Sequence, residues 1–413
     1  MNAPRRAVII ALHNLTYSSR VFKQADALAA AGFDVTLVGI VQKASDALEE
    51  QQGAVRLVRV RTTKHLHAER AADGAMAPGS ASAVATPGRP GFFTGVRTFL
   101  GRMRDNRLLA EAAAAASPDV VIASDLTAWM AGYLVKRRLR VPLVLDVRDL
   151  MLDSGAVFAT SYVWLWKMAE RFLIRHGDAL TTVNAPFIAV LEQRYPDIPP
   201  ATAVYSGAFE CVDSASPVHA PLRLFFQGRF APNRRLDEVL EAIALARDCS
   251  VILLLQGFGD DEARLRALVS EIGIEDRVEF VEVCGPRDVV QRASEYDVGL
   301  ITPRDDNLNY RMAIPIKLLD YVAAGLAVLA TDLPGLRSII EPEGCGYLFE
   351  QTGPESIAAA IRHLAGNPDM VARKKQNSVN AAPKYLASVQ GERFVQVVEV
   401  VLASSLRGRG GAA

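Results

Sequence analysis

The chain is poor in cysteine and histidine and carries no excess of either charge. Its four cysteines, Cys211, Cys249, Cys284 and Cys345, are scattered, with no C-x-x-C pair and no histidine at ligand spacing. That excludes a zinc ribbon or a disulfide framework and fits inert thiols in a reducing compartment. Lys and Arg total 46 against 46 Asp and Glu, so the basic excess expected of a general nucleic-acid binder is absent. Long uncharged apolar runs are also missing. The best candidate, 156–174, is interrupted by Lys167, Glu170 and Arg171, whereas a membrane span needs roughly 20 apolar residues. Residues 1–6 are polar and the apolar run 7–12 is too short for a signal peptide. These absences predict a cytoplasmic protein, soluble or peripheral at the inner face of the membrane.

What is present is core-forming sequence. The 413 residues are 50 % hydrophobic, enough for two domains at roughly 100–200 residues each. The apolar run 7–12 reads as a strand. Val21, Ala25, Leu28 and Ala29 then mark one face of a helix, Gly32 stops it, and 35–39 is the next strand. Such a βαβ unit predicts a parallel sheet. Further strands are predicted at 55–60, 120–123, 142–147 and 179–183, short and non-alternating as in sheets covered on both faces. Residues 64–90, rich in Ala, Gly, Pro and Ser, read as a flexible loop. From 92 to 107 apolar residues alternate with Arg97, Arg102, Arg104 and Arg107. That is a basic amphipathic helix, either packed on its own domain or lying on an anionic membrane or a lipid-linked acceptor. After a linker at 208–220 the alternation restarts, with strands at 222–226, 251–256, 278–283, 298–302 and 327–331 and helices between them. The domains predicted are 1–207, 221–384 and a closing helix in 385–413 that packs back on the first. Tandem open α/β sheets bind ligands outside the carboxyl ends of their strands, and two such edges facing each other make one cleft.

Three segments after strands of the second half carry candidate chemistry. Gln227-Gly-Arg-Phe-Ala-Pro-Asn-Arg-Arg235 offers Gly228 for a sharp turn and Arg229, Arg234 and Arg235 for an anion. Gln256-Gly-Phe-Gly-Asp-Asp261 offers Gly257 and Gly259, without the third glycine of a dinucleotide fingerprint. In the third, 313–335, Pro315 suits a helix start, and Lys317, Asp320, Tyr321 and Ala324 share i, i+3, i+4, i+7 spacing. On that face Asp320 can accept from a diol such as ribose, and Lys317 can reach a phosphate or sugar hydroxyl. Read alone, the same pair fits a surface Lys–Asp contact.

Together these pieces resemble the donor domain of the GT4-type retaining glycosyltransferases (glycosyltransferase group 1), over about 222–367. In that family a Gly-Arg motif and a basic residue five positions on cradle the donor diphosphate; Arg229 and Arg234 stand there. The family acid that binds the nucleotide ribose is matched by Asp320, before Tyr-Val-Ala-Ala-Gly325. Asp332-Leu-Pro-Gly335 and Gly344-Cys-Gly-Tyr-Leu348 are also similar. Of the two family glutamates, the second is Asp320 here and the first is Met312, and Arg235 replaces a glycine. Pro315-Ile-Lys317 resembles a subgroup with a P-x-K signature, seen in bacterial surface-polysaccharide transferases. In the first half 19–32 is similar to the family's first helix, with Arg20 facing the cleft. Ser124-Asp125 stands where a His-Asp pair is common, and Arg148 where His is common; His13 is the cleft histidine.

The resemblance implies a GT-B fold, two Rossmann-like doubly wound α/β domains facing across a cleft. It implies transfer of sugar from a UDP- or GDP-sugar, the substrate rather than a cofactor, to a hydroxyl on a saccharide or lipid-linked acceptor of cell-surface polysaccharide or glycoconjugate synthesis. No metal is implied, since Arg and Lys replace it. The catalytic candidates are Arg229, Arg234, Lys317, His13 and Asp125. The donor-binding set is Gly228, Arg229, Arg234, Gly257, Pro315, Lys317 and Asp320, and Arg20 and Arg148 lie on the acceptor side. A nucleotide-sugar epimerase and a catalytically degenerate sugar-nucleotide binder remain the alternatives.

Overall fold

The computed structural model describes residues 4–15, 19–43, 45–62, 91–156, 158–350 and 352–410. The loop expected at 64–90 lies outside the described residues. The chain divides into two units, Met1–Val204 with Gly391–Ala413, and Tyr205–Gln390.

Unit 1 holds eight strands: β1 Arg6–Ala11, β2 Asp34–Ile40, β3 Glu49–Gln52, β4 Val55–Val60, β5 Val120–Ser124, β6 Leu143–Val147, β7 Ala179–Thr182 and β8 Ala201–Ala203. They lie in the order β3-β4-β2-β1-β5-β6-β7-β8, and all pairs are parallel except β3 with β4. Every residue of β5 and β6 is buried, because helices cover both faces. The exposed Glu-Glu-Gln-Gln of β3 closes one edge with charge. Helix α1, Ser19–Ala30, buries Val21, Ala25 and Leu28. It ends in a Schellman motif: Gly32 N donates to Ala29 O and Phe33 N to Leu28 O, with Gly32 at φ +85°. Helices α2 Phe92–Ala115, α3 Leu126–Leu139, α4 Thr160–Ile174 and α5 Ala185–Arg194 follow.

Unit 2 holds β9 Leu222–Arg229, β10 Val251–Phe258, β11 Val278–Val281, β12 Val298–Ile301, β13 Ala327–Thr331 and β14 Gly346–Phe349. The order is β11-β10-β9-β12-β13-β14, all parallel. Its helices are α6 Leu236–Leu245, α7 Glu262–Glu271, α8 Val289–Ala293, α9 Leu308–Met312, α10 Ile316–Ala323, α11 Pro334–Glu343, α12 Pro354–Ala365 and α13 Pro368–Ala381. Alternate residues of the central strands feed separate cores. Leu224, Phe226, Leu253 and Leu255 pack with α6, α7 and α12. Phe225 and Leu254 pack with α8, α10 and α11. That two-sided burial is why these strands read as continuous apolar runs.

The last helix, α14 Ala387–Gly410, places Phe394, Val398, Val401 and Leu402 in the same core as α1. A Cβ on Gly391 would lie 2.8 Å from the Cβ of Ala27, so the glycine permits this close helix contact. No described helix is long and apolar enough to cross a membrane.

The stretch 208–220, expected as a linker, is bonded into unit 2. Val212 N donates to Ala323 O (2.9 Å) and Ser216 Oγ to Ser294 O (2.9 Å). Beneath it lies a buried ion pair, Lys375 Nζ to Asp297 Oδ1 at 2.9 Å, with neither side chain exposed. Lys375 also donates to Ser216 Oγ and Tyr296 O, while Asp297 accepts from the backbone of Arg223 and His219. Removing one partner strands the other charge in the core. Asp297→Ala should therefore lower the stability of unit 2 by about 3–5 kcal/mol, read as a fall in the urea midpoint.

Candidate functional site

In unit 2 the strand order reverses beside β9. The chain runs outward through β10 and β11, then returns to place β12 on the other side of β9. Connections leave the two strands in opposite directions and open a crevice at their carboxyl ends. Gln227-Gly228-Arg229 ends β9 there, and Thr302 follows β12.

Gly228 has φ +132°, and a Cβ there would lie 3.1 Å from Lys317 Nζ. The backbone angle demands glycine. Gly257 and Gly259 serve a different purpose. A Cβ on Gly257 would fall 2.0 Å from Gly228 O, and one on Gly259 2.2 Å from Phe230 O. They let the ends of β9 and β10 approach each other.

The loop after β9 is pinned across the crevice. Thr302 Oγ1 donates to Arg234 O (2.8 Å), and Asn233 Nδ2 donates to Tyr310 OH (3.0 Å). Tyr310 is itself held by the Asn307 cap of α9, whose Oδ1 accepts from Tyr310 N at 2.9 Å. Arg235 adopts φ +54° and pairs with Glu238. This left-handed position is the one where the resembling family carries glycine, and the ion pair with Glu238 helps hold arginine in it.

Helix α10 splits the face expected for Lys317, Asp320, Tyr321 and Ala324. Tyr321 and Ala324 are buried in the core, while Lys317 and Asp320 stay partly exposed. Tyr321 OH accepts from Gln227 N at 2.9 Å, and its ring lies where a Cβ on Gly299 would be, 2.2 Å from Cδ2. Tyr321 thus registers the helix against the ends of β9 and β12 and brings Lys317 over Gly228. Lys317 Nζ stands 3.8 Å from the centroid of the Phe226 ring. Burial, reinforced by repulsion from Arg234 and opposed by Asp320, holds its ammonium well below the usual lysine range. Arg234 and Lys317 line one cavity with Phe226, Thr302, Tyr310 and Pro315. Among the described residues neither forms a salt bridge. Arg229 leaves the strand beside Gly228 but does not line that cavity; it is 64 % exposed and 3.4 Å from Asp260.

Unit 1 has its own reversal, beside β1, between β2 and β5. His13, Asp125 and Arg148 follow the carboxyl ends of β1, β5 and β6. Asp125, at φ +65°, accepts from Arg148 Nε (2.7 Å) and from Arg148 N (3.2 Å). His13 Nδ1 accepts from Leu15 N at 3.1 Å, and its buried Nε2 has no partner among the described residues. Burial, aided by Arg148 and opposed by Asp125, pushes its pKa down to about 4. A neutral ring whose Nδ1 accepts carries its proton on Nε2, so His13 is placed to donate a hydrogen bond rather than to serve as a base.

Arg20, expected on the acceptor side, is a structural residue. It is 5 % exposed, and its Nε and Nη2 donate to Asp146 at 3.0 and 2.7 Å while Nη1 reaches Val204 O at 2.5 Å. Thr181 Oγ1 completes the Asp146 shell at 2.6 Å. A sheet end offers a buried guanidinium a carboxylate more readily than a path to solvent. Sequence reading did not find Asn233, Thr302 or Tyr310, since the partners they join lie 68 and 77 residues apart.

The His13 environment has a measurable consequence. Between pH about 4 and 6.5 the unfolded chain binds a proton at this ring that the folded chain does not. Its contribution to stability is therefore complete above pH 6.5 and is lost as pH falls toward 4. An NMR titration should place the His13 midpoint near 4, with the Nε2–H tautomer above it.

Two family models match the chain, one described as glycosyl transferases group 1 over residues 215–381 and one as a glycosyl transferase 4-like domain over residues 17–207. The amylovoran biosynthesis glycosyltransferase AmsK of Erwinia amylovora is 26 % identical over 161 residues, covering 37 % of this chain and 39 % of that protein. The chain spans 39 %, 17 % and 36 % of the first three curated relatives it matches. Among solved structures, sucrose-phosphate synthase from Thermosynechococcus elongatus superposes with a TM-score of 0.73 at 16 % identity, covering 97 % of this chain and 100 % of that one. Anabaena Alr3699/HepE in complex with UDP-glucose gives 0.65 at 13 %, covering 96 % and 99 %. At such identities the superpositions speak for the fold, which is GT-B. With its two halves matched by these models and its fold shared with these structures, the chain belongs to the glycosyl transferases group 1.

Proposed function

We propose that the chain is a glycosyltransferase that moves a sugar from a UDP- or GDP-sugar to a hydroxyl acceptor, without metal or further cofactor and with retention of configuration. The observation that carries this reading is the pair Arg234 and Lys317, two cations lining one cavity at a topological switch point and forming no salt bridge among the described residues. Cations held close without an ion-pair partner among the described residues are matched by a ligand that brings an anion. Phosphate oxygens in that cavity would restore the Lys317 ammonium, which burial and Arg234 now disfavour.

The chemistry follows from the charge. As the bond from the anomeric carbon to the diphosphate oxygen breaks, negative charge grows on the departing phosphate and positive charge on the sugar ring. Positive groups already in place stabilise that change without reorganising. Arg234 and Lys317 serve the diphosphate, and the exposed Arg229 closes on it from the strand end. Asp320, one turn along α10 from Lys317, accepts from the ribose hydroxyls. His13 Nε2, with Asp125 and Arg148, is assigned to the acceptor side as a donor that orients an oxygen. The acceptor is a saccharide or lipid-linked intermediate of surface polysaccharide or glycoconjugate synthesis, met at the inner face of the membrane with contact through 92–107. The relative named for amylovoran biosynthesis and the neighbour bound to UDP-glucose support this reading.

A thermal-shift screen against UDP-, GDP- and ADP-sugars tests the donor, since a true ligand raises Tm in proportion to the logarithm of its concentration over Kd. Arg234→Ala and Lys317→Ala should each lower kcat/KM by about 10²-fold or more with an unchanged urea midpoint. Steady formation of an epimer from a nucleotide sugar alone would sink the transferase reading.

A further inference from the structure

We infer that the solvent faces of α2 and α4 together form a docking surface for an anionic lipid bilayer. The inference extends the membrane contact proposed for 92–107 to a second helix, which the sequence marked only as an apolar stretch too charged to span a membrane. It rests on that reading only for where the acceptor is met, since the surface is defined by its own side chains.

Along α4 and its C-cap, Trp164, Lys167, Met168, Arg171, Phe172 and Arg175 are exposed. Their spacing of i, i+3, i+4, i+7, i+8 and i+11 puts them on one face. The opposite face buries Tyr162, Trp166, Leu173 and Ile174. On α2, Phe93, Arg97, Leu100, Arg104 and Arg107 form a second exposed stripe at helical spacing. Phe93 is 84 % exposed and Trp164 60 %, unusual for aromatic side chains with no role in water.

The two helices form one rigid base. Ser161 Oγ donates to Phe92 O at 2.6 Å, Phe99 meets Trp166 edge to face with centroids 5.3 Å apart, and a Cβ on Gly95 would fall 2.2 Å from Ser161 Oγ. Charge identifies the occupant. Within 93–107 and 164–175 the acids, Asp105 and Glu170, are both buried, so the exposed charge of these stretches is positive, and the exposed acid of α2, Glu111, lies one turn beyond Arg107. Among the described residues its exposed cations form no salt bridge. Arginine and lysine interleaved with Trp, Phe, Met and Leu suit a surface of one negative sign with an apolar layer beneath it, where aromatic rings sit at headgroup level and cations remain hydrated.

The chain carries its own reporter. Of its three tryptophans, Trp129 and Trp166 are buried and Trp164 stands on this face. The full-length protein is titrated with vesicles of phosphatidylcholine alone and with about one third phosphatidylglycerol, following tryptophan emission and co-sedimentation. Anionic vesicles should shift the emission to the blue and pellet the protein, and about 0.5 M salt should release it. Lys167→Glu with Arg171→Glu should weaken partitioning about 30-fold or more, and Trp164→Ala about tenfold while abolishing the shift. Arg97→Glu with Arg104→Glu tests the second helix in the same way.

The inference is overturned if the emission and sedimentation do not respond to anionic vesicles, or respond equally to neutral ones. It is also overturned if the same substitutions instead remove a concentration-dependent dimer in sedimentation velocity. Thermal midpoints and nucleotide-sugar shifts of the same variants keep the two readings apart. Vesicle binding without any nucleotide-sugar shift would sink the proposed function alone, and the converse would sink this surface alone.

Discussion

A parallel sheet cannot be closed by hairpins, and the rest of this structure depends on that constraint. Apart from β2 to β4, which are joined through the antiparallel edge strand β3, the strands return through helices, and the right hand of that crossover decides which face is covered. To cover both faces the chain must reverse its direction of growth once, beside β1 in unit 1 and beside β9 in unit 2. At each reversal two loops part and backbone ends are left without a neighbour above them. In unit 2 the gap is framed by short polar ties, Thr302 to Arg234 and Asn233 to Tyr310, and by the hydroxyl of Tyr321 on Gln227 N. The positions of Gly228 and Lys317 follow from those ties rather than from any preference of their own.

Charged residues of the same type take opposite parts in this framework, and partners decide which. Arg20 with Asp146 and Lys375 with Asp297 are closed pairs, each buried and bonded to further polar groups. Such pairs specify where a strand end or an entering segment must lie, whatever their net contribution to stability. Arg234 and Lys317 are half-buried and line one cavity, Lys317 beside an aromatic ring, and Arg234 raises the cost of the Lys317 charge. Arg235 lies between the two classes, in a left-handed backbone position and paired with Glu238. A basic cluster in the sequence therefore resolves into one structural arginine and cations available to a ligand.

Unit 1 shows the same division on a helix. Trp166 and Trp164 are two residues apart on α4, so one enters the core against Phe99 and the other faces solvent with Lys167 and Arg171. The helix was legible as an apolar stretch too charged to cross a membrane. The charges that disqualify it as a span are on the face that the core does not use.

The sequence by itself determined the central strands of both parallel sheets and the order of the site segments, because these depend on local periodicity and on turn residues such as Gly32 and Gly228, while the short edge strands β3, β8 and β14 escaped it. It also pointed to Lys317 and Asp320, which are one helical turn apart and so share a side whatever the helix packs against. Only the tertiary structure decided what those side chains meet. It assigned Arg20 to Asp146, set Gly257 against the backbone of Gly228, turned Tyr321 inward, and gave His13 a donor's tautomer through Leu15 N. Each of these outcomes but the last depends on a partner many residues away, and the last depends on a backbone turn. Burial and hydrogen bonding with such partners set protonation and direction, and no pattern within a single helix or strand encodes them.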